Sequence, residues 1–321
     1  MDIKFGLGFG LGPGGLPDAS GIFRYFDRSE ALMYDSMWIS DRLVARRPSL
    51  DCVTLLAAFA ARTKRMLFGP SVLIPALRNP VVLAKQLATL DYLAGGRLVA
   101  GFGVGGEAAQ EFEAVGVPVN ERGRRTDEAI QVMRRLWSDS PASYQGKYYR
   151  FDEVVMEPKP LFKPFVPIWI GGQSDAALRR TARLGDGWLA SFVSPEETKA
   201  GQQKILQYAE EYGREFDGDE FGVLLLTLVA EQGSPVRDRA EAFLEANYRN
   251  RRPGPMADVS IMGSPQECID RLGRYVDVGC NKFVIRFLVE RVGLDEQLER
   301  FAGDVASAFP GPQAKVPATI L

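Results

Sequence analysis

What most constrains this chain is a repeated alternation. Strand-like apolar runs punctuate its 321 residues: DIKFGLGF, SMWIS, RMLFGPSVLI, RLVAGFGV, PIWIGG, GWLASF, FGVLLLTLVA and KFVIRFLV. Most are apolar at both odd and even positions, which is the pattern of parallel strands covered on both faces. Amphipathic helical patterns lie between them, at 21–34, 51–63, 80–93, 122–138, 175–184, 195–212, 234–247, 265–278 and 294–308. Ser194-Pro195-Glu196-Glu197 and Ser264-Pro265-Gln266-Glu267 each place serine at an N-cap, proline at the first helical position and an acid in the first turn. About eight strand–helix alternations predict an α/β fold, a (β/α)8 TIM barrel, with a doubly wound sheet as the lesser alternative. The whole of 1–321 reads as a single domain with insertions after strands 4 and 7, at 107–166 and 232–281. Such long connections are usually functional lids or disordered. The second contains the polar stretch NYRNRRPGPMAD, and about 310–321 reads as a trailing tail.

Composition removes several function classes. A net charge of −2 argues against nucleic acid or an anionic membrane as partner, and no apolar run is long enough to span a bilayer. The opening MDIKFGLGF lacks the layout of a signal peptide. Three scattered cysteines, Cys52, Cys268 and Cys280, form no C-x-x-C and fit a reducing cytoplasm. Histidine is absent altogether. That excludes histidine-ligated zinc and histidine-dependent nucleophilic catalysis, and no metal site is expected. Proton transfer must then use other side chains or water, or the chemistry belongs to a bound cofactor.

GFGVGG, residues 101–106, spells G-x-G-x-x-G after a strand-like run. A dinucleotide fingerprint should open a βαβ unit and meet a second strand within about 20 residues. No strand-like run appears for some sixty residues after Gly106, and three strand–helix units precede the loop. It reads instead as a loop at the top of a barrel, the face that carries active sites.

At these residues the sequence becomes familiar. The stretch from LRNPVVLAKQ through GGRLVAGFGVGGEAAQEF to EAIQVMRRLW resembles the bacterial luciferase-like family of flavin- and deazaflavin-dependent oxidoreductases. YQGKYYRFDEVVMEPKP, PIWIGGQSDAALRRTARLGDGW and GSPQECIDRLGRYVDVGCNKFVIR continue the likeness in matching order, from Ile3 to about Leu288. The resemblance implies hydride transfer to or from a small organic substrate with coenzyme F420, a deazaflavin. The alternatives are an FMN-dependent monooxygenase of the same family and a non-catalytic flavin- or ligand-binding barrel. A homodimer is the partner expectation.

Site residues follow residue by residue. Asp41 and Arg42, in WISDRL, match the family's S-D-H, with arginine in place of histidine. Arginine can orient an anion but is a poor acid or base. Asp41 would accept hydrogen bonds from cofactor or substrate. Gly105 and Gly106 would pack beside the coenzyme, and Glu107 would relay a proton or serve as a first-turn helix acid. Gly171, Gly172, Gln173 and Ser174 end a strand and open a helix, a place suited to a cofactor phosphate. Ser71 and Val72 would press a cis peptide bond against the ring. The aromatics of YQGKYYRF read as a hairpin lid with its own small apolar cluster.

Overall fold

The computed structural model describes residues 2–311, apart from 11, 14, 45–46, 107–108, 218–219 and 291–292. Each of the eight predicted runs forms a strand. In chain order the strands are β1 (Lys4–Phe9), β2 (Ser36–Ile39), β3 (Leu67–Pro70), β4 (Ala100–Phe102), β5 (Ala142–Gln145) and β6 (Arg150–Val154). They continue with β7 (Ile168–Gly171), β8 (Gly187–Ser191), β9 (Phe221–Val229), β10 (Ser260–Gly263) and β11 (Lys282–Phe287). The helices are α1 (Ala19–Ala31), α2 (Cys52–Arg62), α3 (Pro80–Leu93), α4 (Ala109–Ala114) and α5 (Arg122–Ser138). After them come α6 (Asp175–Leu184), α7 (Pro195–Glu211), α8 (Pro235–Tyr248), α9 (Pro265–Asp277) and α10 (Leu294–Arg300).

The main sheet runs β3-β2-β1-β11-β9-β8-β7-β4 with every pairing parallel. Bridges Phe68↔Leu98 and Leu73↔Phe102 join its two ends. The sheet is therefore a closed eight-stranded barrel wrapped by helices, the predicted (β/α)8 architecture. Burial explains the sequence pattern: all nine residues of β9 and all four of β2 are buried. Both serine–proline starts close reciprocal capping boxes, at Ser194 with Glu197 and at Ser264 with Glu267.

Two tryptophans fill the barrel interior. Trp38 of β2 and Trp169 of β7 lie with ring centroids 5.3 Å apart. Their bulk is accommodated by glycine on strands two places round the barrel. A Cβ on Gly222 of β9 would come within 2.6 Å of Trp169, and one on Gly101 of β4 would touch Trp38 at 3.5 Å. At Gly69 and Gly101 a Cβ would also lie closer than 3.0 Å to the carbonyl oxygens of Val99 and Pro70. So Gly101 lets β3 and β4 approach across the barrel seam, and no phosphate is needed to explain it. Arg97, just before β4, donates to the carbonyl oxygens of Ala60, Thr63, Met66 and Ala94, pinning the end of α2 to this seam.

Three elements depart from the sequence reading. The connection 232–281 contains the two expected helices as α8 and α9, but it adds β10, paired with β9 from Ser260↔Leu226 to Gly263↔Val229. The short α4 is not among the amphipathic patterns of the sequence, although a helix just after the glycine loop is implied by one of the two readings of Glu107. The helix predicted over 294–308 stops at Arg300 and continues as a π turn over Phe301–Val305, where Gly303 weakens regular helix. The hairpin of β5 and β6 is present, with Tyr144 stacked on Phe151 at 6.2 Å. Glu128 of α5 holds it by accepting from the backbone N–H groups of Tyr148 and Tyr149, each at 2.8 Å. It is no lid, because none of its residues lines the cavity described next. No helix among the described residues is long and apolar enough to cross a membrane.

Candidate active site

The strand C-termini surround a cavity of about 520 Å³. That is within the usual size range for small-molecule and cofactor pockets, roughly 300–1,000 Å³. One wall is built from backbone. The ends of β3, β4 and β7 contribute Ser71, Val72, Gly103, Gly105, Gly106, Gly171 and Gly172. The Ser71–Val72 peptide bond is cis. Leu73 then rejoins β4, donating to the Gly101 carbonyl and accepting from the Gly103 N–H, both at 2.9 Å. Val72 is thereby placed between two glycines. A Cβ on Gly171 would lie 2.7 Å from its Cγ1, and one on Gly103 would press on its Cγ2. Gly105 takes φ of +63° and Gly172 of +110°, conformations that side chains rarely tolerate. Among the described residues, nothing lies within 4 Å of where a Gly106 Cβ would point. The result is a wall built largely of glycine backbone, with Ser71, Val72 and Val104 as its side-chain-bearing residues, that a planar ring can approach closely.

Asp41 lines the cavity, but its oxygens are engaged. Arg78 donates to both, through Nη1 to Oδ2 and Nη2 to Oδ1, each at 2.7 Å, and the Ile74 N–H donates to Oδ2 at 3.2 Å. The Asp41 side chain is fully buried. This carboxylate positions the loop from Ser71 to Arg78, a role that the sequence reading did not give it. Arg42 also lines the cavity and pairs at 3.5 Å with Glu111 of α4, itself buried and accepting from Leu43 N–H and Val44 N–H. Glu107 lies outside the described residues.

Gly171, Gly172 and Gln173 reach the lining, whereas Ser174 stands just beyond it as the N-cap of α6. Its Oγ accepts from the Ala177 N–H at 3.3 Å. A capping hydroxyl keeps its own proton to donate, so capping and anion binding are compatible. Ser174→Ala is expected to lower stability by about 1 kcal/mol through the lost cap, read as a fall in urea midpoint with unchanged slope.

A second part of the lining was not read from the sequence. Arg47, Phe192, Phe243, Asn247, Tyr248, Arg251 and Arg286 line it. Phe192, at the end of β8, has φ of +57°, unusual for a bulky side chain and a common mark of functional sites. Its ring meets Tyr248 at 5.6 Å, and Tyr248 meets Phe243 at 6.1 Å. The Arg47 guanidinium sits 5.7 Å from the Phe243 ring, and that of Arg251 sits 5.8 Å from Tyr248. Burial first, and then the positive charges of Arg42 and Arg286, push the Arg251 pKa down to about 10. It remains charged at neutral pH in a positive local field. One signal for this wall was available: Arg286 is a charge placed inside the apolar run KFVIRFLV.

Comparison with known proteins agrees with this architecture. The F420-dependent glucose-6-phosphate dehydrogenase of Intrasporangium calvum is 29% identical over 318 residues, covering 88% of this chain and 93% of its own. The FMNH(2)-dependent dimethylsulfone monooxygenase of Pseudomonas putida is 35% identical over 153 residues, covering 47% of this chain and 42% of its own. A monooxygenase from Streptomyces bottropensis superimposes with a TM-score of 0.83 at 22% identity, covering 95% of this chain and 99% of its own, which speaks to the fold. The family model described as luciferase-like monooxygenase matches residues 4–282. The chain belongs to the luciferase-like monooxygenase family.

Proposed function

We propose that this protein is an oxidoreductase that holds coenzyme F420 against the glycine wall and moves a hydride to or from a small organic substrate. The observation that carries this reading is that wall. Three strand ends offer bare backbone around Val72, next to open space, which suits the flat face of a ring. The dehydrogenase similarity spans nearly the whole chain, while the FMNH(2)-dependent relative matches about half, which favours the deazaflavin over FMN. When bound, the deazaflavin ring supplies the hydride chemistry.

The chain's own residues bind, orient and exclude water. Val72 supports one face of the ring, and Gly103, Gly105 and Gly106 let backbone approach its edge. Gly171, Gly172, Gln173 and Ser174 offer N–H and hydroxyl donors to a cofactor phosphate at the α6 N-terminus. Asp41 acts through Arg78 to hold the Ser71–Val72 segment in place. Arg42, fixed by Glu111, orients an anionic group, and Glu107 is assigned proton relay. A cytoplasmic location is part of the proposal, supported by three free and buried cysteines.

Titration of the purified protein with F420 and with FMN, followed by coenzyme fluorescence, tests the reading. F420 is expected to bind at least ~10-fold tighter, a difference of about 1.4 kcal/mol. Preference for FMN, with turnover that consumes oxygen, would replace this reading with an FMN-dependent monooxygenase. Binding of either coenzyme with no single-turnover reduction by any donor would make the barrel a binder.

A further inference from the structure

We infer that Tyr248 is a substrate-binding residue, its hydroxyl donating to a carbonyl or hydroxyl oxygen of a compound with a flat apolar body. That body lies on the rings of Phe192, Phe243 and Tyr248 itself. With F420 against the glycine-rich lining, as proposed above, these side chains are left to its reaction partner, and the inference rests on that placement.

An unsatisfied hydroxyl carries it. Tyr248 is the last residue of α8, is only 9% exposed and lines the cavity. Its ring meets Phe192 and Phe243, yet among the described residues nothing hydrogen-bonds its Oη. A buried tyrosine normally finds a partner for its O–H, because an unmade bond leaves desolvation uncompensated. Tyr34, Tyr208 and Tyr275 are comparably buried and follow that rule. They donate to the Leu298 carbonyl at 2.9 Å, to Asp175 Oδ1 at 2.5 Å and to the Val193 carbonyl at 2.7 Å. Tyr25 is the other exception, and it too lines a void, a pocket of about 50 Å³ with room for water but not for a substrate. Tyr248 belongs to the cavity of about 520 Å³, which holds an organic molecule. Among the described lining residues that are buried, two carry polar side chains. Asp41 is satisfied by Arg78 and the Ile74 N–H, whereas Tyr248 is not.

The local sequence explains how the three rings are presented. Ala240, Leu244 and Tyr248 recur every four residues as the buried face of α8. Phe243 and Asn247, one position ahead on the same helix, reach the cavity. Asn247 Nδ2 donates back to the Phe243 carbonyl at 2.8 Å. Phe192 is held in its φ of +57° from the far side, where the Val193 carbonyl is taken by Tyr275 and Ser194 caps α7. Backbone strain of this kind persists where neighbouring structure enforces it, often at ligand clamps. The Phe192 and Phe243 rings flank Tyr248 at tilts of 43° and 57°, so the three make one apolar surface around a single orphan O–H. A flat apolar body removes that surface from water, and its oxygen satisfies the hydroxyl.

Calorimetric titration of the full chain with three uncharged probes, with and without saturating F420, tests the inference. Acetophenone has both the flat body and the oxygen. In α-methylstyrene a methylene group replaces that oxygen, and acetone keeps the oxygen without the body. Acetophenone is expected to bind at least ~3-fold tighter than α-methylstyrene and at least ~10-fold tighter than acetone. Tyr248→Phe should erase the first preference without weakening α-methylstyrene or F420 binding and without changing the circular dichroism. Phe243→Ala should weaken both aromatic probes by a similar factor and keep the preference between them. The wild-type ratios need no variant to fold. Binding of α-methylstyrene as tight as that of acetophenone overturns the inference, as does a preference that survives in Tyr248→Phe. No measurable acetophenone binding overturns it too. So does displacement of acetophenone by F420 together with weaker F420 binding in Tyr248→Phe, since the hydroxyl would then belong to the coenzyme. If wild-type protein ignores F420 yet keeps both preferences, the coenzyme reading falls and this one stands.

Discussion

Arg78→Ala is expected to destabilise the protein by about 3–5 kcal/mol, the range for breaking a buried ion pair from one side. The size follows from what remains behind. Asp41 has a fully buried carboxylate whose donors are the two arms of Arg78 and the Ile74 N–H. Removing the guanidinium leaves a buried negative charge with one backbone donor, and desolvation then dominates. Arg78 also reaches Asp51 at 3.4 Å, the residue that caps α2 by accepting from the Thr54 N–H at 2.9 Å. The single side chain thus joins the end of β2, the start of α2 and the approach to α3. Arg78→Lys keeps charge but cannot form the two-pronged contact, so an intermediate loss is expected. Urea unfolding with coenzyme titration on the same samples checks both points. Weakened coenzyme affinity should accompany lost stability, because Asp41 and Arg78 hold the segment that carries Val72. A change under about 1 kcal/mol for Arg78→Ala would show that solvent reaches this pair, and the positioning role of Asp41 would be lost.

The contrast between Arg78 and Arg286 shows what the sequence could and could not carry. The barrel strands were legible because burial on both faces writes an unbroken apolar run, and serine–proline starts marked two helices to within a residue. Strand β10 was not, since SIMG is four residues long and follows a polar loop. Of the site, the glycine wall was legible, because close backbone contact demands glycine wherever it occurs. The arginine wall was illegible for a topological reason. Arg47, Arg251 and Arg286 come from three distant segments; that of Arg251 reads as part of a long connection, a lid or disordered, and that of Arg47 carries no motif. Only closure of the barrel brings them together. Arg78, in LRNP, carries no site signal in sequence, because an arginine before a helix normally faces water. Its partner Asp41 was assigned to the ligand instead, since spacing alone cannot reveal that a carboxylate is already satisfied.

The glycine wall yields a pair of substitutions that separate architecture from binding. Gly101→Ala is expected to unfold the barrel or cost it at least ~3 kcal/mol, at or above the upper end of ordinary overpacking. The added Cβ would fall closer than 3.0 Å to the Pro70 carbonyl oxygen, with the Pro70 carbonyl carbon at 3.3 Å and Trp38 at 3.5 Å behind it. A flexible side chain could rotate away from such a contact. A strand carbonyl cannot, because Gly101 also accepts the Leu73 N–H at 2.9 Å that closes the barrel. Relief requires β3 and β4 to separate and the tryptophan pair to shift. Gly106→Ala is the matched control: among the described residues no atom lies within 4 Å of its new methyl, and its φ is not positive, so stability should change by less than about 0.5 kcal/mol. Gly106 lines the cavity, so the same methyl should weaken coenzyme binding. Thermal melts and coenzyme titrations on the two variants therefore give opposite patterns, stability lost at Gly101 and affinity lost at Gly106. Near-native stability in Gly101→Ala would mean that the barrel seam yields more easily than its geometry implies, and the G-x-G would again need a ligand to explain it.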